Sequence, residues 1–232
     1  MIPKTIHYCW FGRGMKPKLA QKCIASWKKY CPGYEIIEWN EDNFDVNMNG
    51  YTRMCIAQKK YAFLSDYVRL WVVEKYGGVY FDTDVELIKP IDALLENDAF
   101  YCFETPEYVA SGLGFGSVAG GETIKAMLAE YDALLDGRSG VVGCPKLNTA
   151  ALEKMGLKKD GTLQQIADAR VLPSDYMNPF NPATGVTKKT GNTVSVHWYS
   201  AACLSPWRRL RTRIMRPLHR IFGENTFKRF RK

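Results

Sequence analysis

No Cys-x-x-Cys pair occurs in this chain, and the cysteines (Cys9, Cys23, Cys31, Cys55, Cys102, Cys144 and Cys203) are odd in number. That argues against a zinc-ribbon framework or a fully paired disulfide scaffold, and predicts reduced core thiols in a cytoplasmic protein. No basic start followed by an apolar run precedes Ile2, so no signal peptide is expected. No uninterrupted apolar stretch approaches the roughly 20 residues that a membrane-spanning helix needs. The glycine-rich run from Ser111 to Gly121 lacks the Gly-Lys-Ser/Thr ending of a phosphate-binding Walker loop, and its G-x-G, Gly112 to Gly114, follows no convincing strand. Neither nucleotide-binding signature is therefore present.

What the chain does have is enough apolar material for one sizeable core. Its 232 residues are 46% hydrophobic and 13% aromatic, which excludes a disordered protein and fits a single α/β domain, with an appendage at most. The net charge of +8 is unevenly placed. From Trp207 to Lys232 there are ten Lys or Arg against one acid, Glu224, which leaves 22 basic and 23 acidic residues in the first 206. The division expected is a near-neutral domain over 1–206 and a basic tail over 207–232.

The chain opens as β-α-β. Thr5 to Trp10 reads as a strand running into a loop at Gly12 and Gly14, and Lys16 to Tyr30 as a helix closed by Pro32 and Gly33. Glu35 to Trp39 reads as a second strand, so parallel pairing is expected. Asn40 to Tyr51 is polar and reads as a loop with a short helical turn, and beyond it lies the stretch that organises the rest, YAFLSDYVRLWVVEKYGGVYFDTDVELIKP, Tyr61 to Pro90. Tyr61 to Tyr76 contains no Pro or Gly and places Ala62, Leu70, Trp71 and Val73 at helical spacing, and Gly77 and Gly78 end it. Val79, Tyr80 and Phe81 then read as a short buried strand. The strand is expected to end on Asp82 and Asp84, which then project to one side of its carboxyl end, where open α/β sheets place ligands. Two carboxylates on one side repel each other unless a cation lies between them, and hard oxygen ligands suit Mg²⁺ or Mn²⁺.

On the helix, Ser65, Asp66 and Arg69 share a face. An ordinary helical ion pair would explain Asp66 and Arg69, yet charge inside so apolar a helix is costly without a role. Later in the chain, Val194 to Tyr199 reads as a strand delivering His197 and Trp198 to its end. A lone His on an apolar strand is more often a core residue than a ligand.

SDYVRLWVVEKYGGVYFDTDV resembles the central signature of glycosyltransferase family 32, a DXD-containing group of sugar-nucleotide transferases, and the likeness extends to Ile2–Trp39 and Tyr61–Ile91. The resemblance implies a GT-A fold, a Rossmann-like mixed sheet flanked by helices, and a metal-dependent, retaining transfer of a hexose from a nucleotide-diphosphate sugar, with a UDP-sugar the expected donor, to a glycan or lipid-linked oligosaccharide in bacterial capsule or lipopolysaccharide synthesis. It implies that the strand carrying Ile6 and His7 lies under the nucleotide and that Trp10 stacks on the base, although a core role for Trp10 fits its spacing as well. It also implies that Asp66, beside Ser65 and Tyr80, holds the ribose or base. Arg69 would meet the sugar or phosphate, and Asp82, Asp84 and a late His, here His197, would bind Mn²⁺ or Mg²⁺. The Gly-rich run would be a packed loop and strand on the acceptor side. Cys144 separates Gly143 from Pro145, a departure from the family pattern that leaves an acceptor role for Lys146 or Asn148 open.

The tail sets Trp207, Leu210, Ile214, Leu218, Ile221 and Phe222 on one helical stripe and arginines on the other, with a break expected near Pro217. Such a helix suits an anionic membrane surface, the inner face of the plasma membrane being the expected location. Nucleic acid is the rival and is not expected, because the body carries no second basic patch. Packing of the tail on the body is the remaining alternative.

Overall fold

A computed structural model describes residues 1–200. The basic tail, with its predicted amphipathic helix, lies outside the described residues. The chain runs β1 (Thr5–Cys9), α1 (Lys18–Tyr30), β2 (Glu35–Trp39), α2 (Gly50–Ala57), α3 (Tyr61–Tyr76), β3 (Gly78–Tyr80), β4 (Val85–Leu87), β5 (Ala99–Thr105), β6 (Tyr108–Val109), β7 (Phe115–Ser117), α4 (Glu122–Ala129), α5 (Cys144–Lys154), β8 (Gln164–Ile166), β9 (Ala169–Leu172) and β10 (Ser195–His197), with four short 3-10 turns between them. β1 pairs in parallel with β2 and with β3, as the β-α-β reading requires. The main sheet continues in the order β2-β1-β3-β7-β5-β9-β8 and is mixed, because β7 lies antiparallel to both β3 and β5.

Two apolar clusters cover the two faces of this sheet. One gathers α3 through Leu64, Val68 and Val72 with Tyr101 and Phe115. The other gathers α1 through Cys23 and Trp27 with Ile6, Val79 and Phe81. The alternation along β3 explains the split: Val79 and Phe81 face α1 while Tyr80 faces α3. α2 begins with a capping box in which Asn49 accepts from the Thr52 backbone N–H, and it extends to Ala57, past the short helical turn expected by Tyr51. α4 stops at Ala129, and a short 3-10 turn, Asp132–Leu134, follows it.

α3 and β3 form as the sequence predicts. Gly77 and Gly78 lie at φ +68° and +109°, and a Cβ on Gly78 would come within 2.9 Å of His7 Nε2, so the turn needs glycine for both conformation and space. His7 is itself locked in the core: Trp39 Nε1 donates to Nδ1 at 3.1 Å, and the Nε2–H faces the Gly77 carbonyl at 2.9 Å. Burial keeps this imidazole neutral and its pKa below the usual 6.5. A base with a depressed folded-state pKa adds stability that is full above its unfolded pKa and is lost as pH falls below it, because the unfolded chain takes up the proton first. Between pH 7.5 and 5.5 the wild-type urea midpoint is therefore expected to fall more steeply than that of His7→Gln, with a difference of up to about 1.4 kcal/mol per pH unit. Parallel slopes for the two proteins would contradict the assignment.

Candidate active site

Asp82 and Asp84 do not extend β3. The strand ends at Tyr80, and the chain turns at once, with the Val85 N–H donating to the Asp82 carbonyl at 3.0 Å. This corrects the strand-continuation reading: a tight turn, and not alternation along a strand, brings the two carboxylates to one place. From that turn β4 leaves the main sheet and pairs antiparallel with β10, in a register that sets His197 opposite Val85. One residue before Val85 is Asp84, so the pairing delivers the imidazole to the carboxylate. His197 Nε2 lies 3.0 Å from Asp84 Oδ1, and the Ser200 N–H donates to Asp84 Oδ2 at 2.6 Å. The floor is held from beneath by α1, whose Trp27 Nε1 donates to the Val85 carbonyl at 2.8 Å and whose Ser26 Oγ accepts from the Leu87 N–H at 2.9 Å.

Donor atoms of Asp82, Asp84 and His197 all lie within 4.8 Å of one another. Burial works to raise the Asp84 pKa, but His197 and the Ser200 N–H outweigh it and hold the carboxyl well below the ordinary range. The same contact raises His197 against its own burial. Burial also raises Asp82, against the pull of Arg69, and the neighbouring Asp84 adds to the rise. The set fits a hard divalent cation, with two carboxylates and one imidazole as donors. His197 Nδ1 is buried and has no hydrogen-bond partner among the described residues. Tyr199, at φ +48°, turns the chain so that Ser200 reaches Asp84. Its ring lies 4.1 Å from the His197 ring and its hydroxyl donates to Glu104 Oε1 at 2.9 Å, contacts that offset the strained backbone.

Behind the acids sits Arg69, only 3% exposed. Its Nη2 lies 2.8 Å from Asp66 and 3.0 Å from Asp82, its Nε donates to the Ser65 carbonyl at 3.1 Å, and its guanidinium covers the Tyr80 ring at 4.9 Å. Tyr80 in turn donates its phenol to Asp82 Oδ1 at 3.1 Å. Burial pushes Asp66 up to about 6 despite the guanidinium beside it.

Six of the predicted site residues thus converge with His197: Ser65, Asp66, Arg69, Tyr80, Asp82 and Asp84. Arg69 directs its donors at protein groups, Nη2 at the two carboxylates, Nε at the Ser65 carbonyl and Nη1 at Ser111 Oγ and Cys144 Sγ. The Ser65 hydroxyl bonds the Tyr61 carbonyl at 3.0 Å and leaves its backbone oxygen to brace Arg69. Ile6 is fully buried, and His7 has both ring nitrogens occupied by protein groups. Trp10 stands apart at the end of β1, partly buried, its Nε1 donating to the Gly14 carbonyl at 2.6 Å and its ring 5.7 Å from Lys16 Nζ. The sequence reading missed the contribution of α5. Its first residue, Cys144, acts to lower the pKa of Asp66 and places Sγ 3.9 Å from Arg69 Nη1, so the GCP departure from the family pattern is where this helix docks on the site.

Residues 17–101 match the family profile described as the glycosyltransferase sugar-binding region containing a DXD motif, and Asp82-Thr83-Asp84 falls inside the match. The chain carries a DXD glycosyltransferase region. Among curated proteins, the chain is similar to inositol phosphoceramide mannosyltransferase 3 of Schizosaccharomyces pombe, at 27% identity over 123 residues, covering 49% of this chain and 33% of that protein. It is likewise similar to the human alpha-1,4-N-acetylglucosaminyltransferase, at 29% identity over 119 residues, covering 50% of this chain and 32% of that one. The matches span about a third of the length of these glycosyltransferases. Among solved structures the PaToxG glycosyltransferase superposes with a TM-score of 0.52 at 18% identity, covering 66% of this chain and 69% of that one. The fold around the DXD region is thus the GT-A type expected from the sequence.

Proposed function

We propose that this protein is a metal-dependent, retaining glycosyltransferase that moves a hexose from a nucleotide-diphosphate sugar, a UDP-sugar in the first instance, to a glycan or lipid-linked acceptor of a bacterial surface polysaccharide. The observation that carries the reading is the meeting of Asp82, Asp84 and His197 within 4.8 Å at the carboxyl end of β3. These three side chains would hold Mn²⁺ or Mg²⁺, which when bound supplies positive charge against the diphosphate leaving group. Arg69 acts from behind: by neutralising Asp66 and part of Asp82 it lets two further acids crowd the same corner of the fold. Retention and the bacterial glycan context come from the family resemblance. The basic tail extends the proposal to the inner membrane face, where sedimentation with anionic but not neutral vesicles is the expected behaviour.

A thermal-shift screen tests the donor class. A ligand that binds the folded state alone raises its stability by about 2.7 kcal/mol at one hundred times its dissociation constant. UDP-sugars are expected to raise the melting point with Mn²⁺ present and to do so far less with chelator. Equal shifts with and without metal would favour a binding protein that has the fold without the metal chemistry.

A further inference from the structure

Gly112 lies in the 3-10 turn Ser111–Leu113, which crosses the Asp82 carboxylate on the side away from Tyr80. Its φ is not positive, so conformational freedom is not what a glycine provides there. Space is. A Cβ at this position would sit 2.6 Å from Asp82 Oδ2, 3.6 Å from Asp82 Cγ and 3.1 Å from Arg69 Nη1. Neither neighbour is free to yield. The other Asp82 oxygen is held by the Tyr80 phenol and Arg69 Nη2, and the guanidinium is itself fixed by Asp66, the Ser65 carbonyl and the Tyr80 ring.

The turn is equally unable to retreat. Leu113 is fully buried. With its amide turned to satisfy its neighbours, buried Asn148 of α5 accepts from the Ser111 hydroxyl at 2.9 Å and from the Ser111 N–H at 3.0 Å, and donates to the Cys144 carbonyl at 3.3 Å. The Asp82 carboxylate is therefore gripped on one side by Arg69 and Tyr80 and closed on the other by a backbone that α5 holds in place.

We propose that Gly112 is a positioning residue for Asp82, its missing side chain being the space that lets this carboxylate stand beside Arg69 and still turn toward Asp84 and His197. Resting on the metal-dependent reading, this makes the Ser111–Leu113 turn a determinant of ion affinity, and gives one glycine of the Gly-rich run a role on the donor side of the site.

The test is a double-mutant cycle in the full chain: wild type, Gly112→Ala, Asp82→Ala and the double variant. Each is followed by Mn²⁺ titration using electron paramagnetic resonance and by its thermal midpoint. Gly112→Ala is expected to weaken Mn²⁺ binding by about tenfold or more, the scale seen when groups that orient a metal ligand are disturbed. It is also expected to lower the midpoint. In the Asp82→Ala background the same change costs little further in either measurement, because the group it displaces is gone. Mn²⁺ affinity equal to wild type in Gly112→Ala would overturn the proposal while leaving the metal reading intact. If wild type itself takes up no Mn²⁺, the metal reading fails, and the four midpoints still decide the positioning claim: non-additive losses support it, additive losses overturn it. Should Gly112→Ala fail to fold, a folded double variant supports the carboxylate clash, and an unfolded one overturns it.

Discussion

Asp84→Ala is expected to lower sugar transfer, and hydrolysis of the donor without acceptor, by at least about 10²–10³-fold with Mn²⁺ present, the scale on which removing one preorganised electrostatic partner acts. Asp84 ties the turn after β3 to β10. Its two oxygens face His197 and the Ser200 N–H, its carbonyl accepts from the Trp198 N–H at 3.0 Å, and it directly precedes the strand that pairs with β10. Its loss also leaves the nearly buried His197 imidazole without its carboxylate, which costs about 1–3 kcal/mol of stability. The two effects separate with Asp84→Asn, which keeps the shape and a hydrogen-bonding oxygen while removing the charge. Stability close to wild type with activity still lost is the expected pattern. Full donor hydrolysis by Asp84→Ala in Mn²⁺ would show that the carboxylate is not in the chemistry.

Arg69→Met is expected to be the most destabilising single change in the site. Arg69 is 3% exposed and is shared by two carboxylates, so its removal leaves Asp66 and Asp82 facing each other with no positive charge between them. Breaking a buried pair by deleting one partner costs about 3–5 kcal/mol, more than half the stability of many domains. Urea denaturation at pH 8 should show this loss, and Asp66→Asn in the same chain should restore part of it. The loss should also shrink toward pH 5. Asp66 already titrates near 6 with the guanidinium in place, and without it the carboxyl takes up its proton at higher pH still, in the folded state before the unfolded one. A loss under about 1 kcal/mol, or one independent of pH, would mean that the guanidinium is not holding these acids.

Much of this site could be read from local sequence, for a definable reason. An apolar helix, a glycine stop and a short apolar strand running into two acids are patterns whose causes lie within thirty residues. α3, β3 and the shared helical face of Ser65, Asp66 and Arg69 followed from them, whereas the meeting of that face with Tyr80, Asp82 and Asp84 was implied by the family resemblance. His197 could be named as a candidate, but its place could not be derived, because it depends on β10 pairing with a strand more than a hundred residues earlier. Nothing near Val194 records that register. The turn at Asp82 was missed for the opposite reason: Val85–Leu87 looks like a continuation of β3 and becomes a separate strand only through its pairing with β10. α5 was hidden because its first residue, Cys144, reads as a gap in a family pattern until the helix is seen docking on Asp66. Gly112 left no signal beyond being one of several glycines, since its reason is a clearance from two side chains distant in sequence.

The most direct measurement is an anomalous difference map from crystals soaked with Mn²⁺ and a nucleoside diphosphate. The expected result is a single peak ligated by Asp82, Asp84 and His197, with the remaining positions taken by phosphate oxygens. A bound nucleotide with no peak between these three side chains, or with the peak elsewhere, would contradict the metal site.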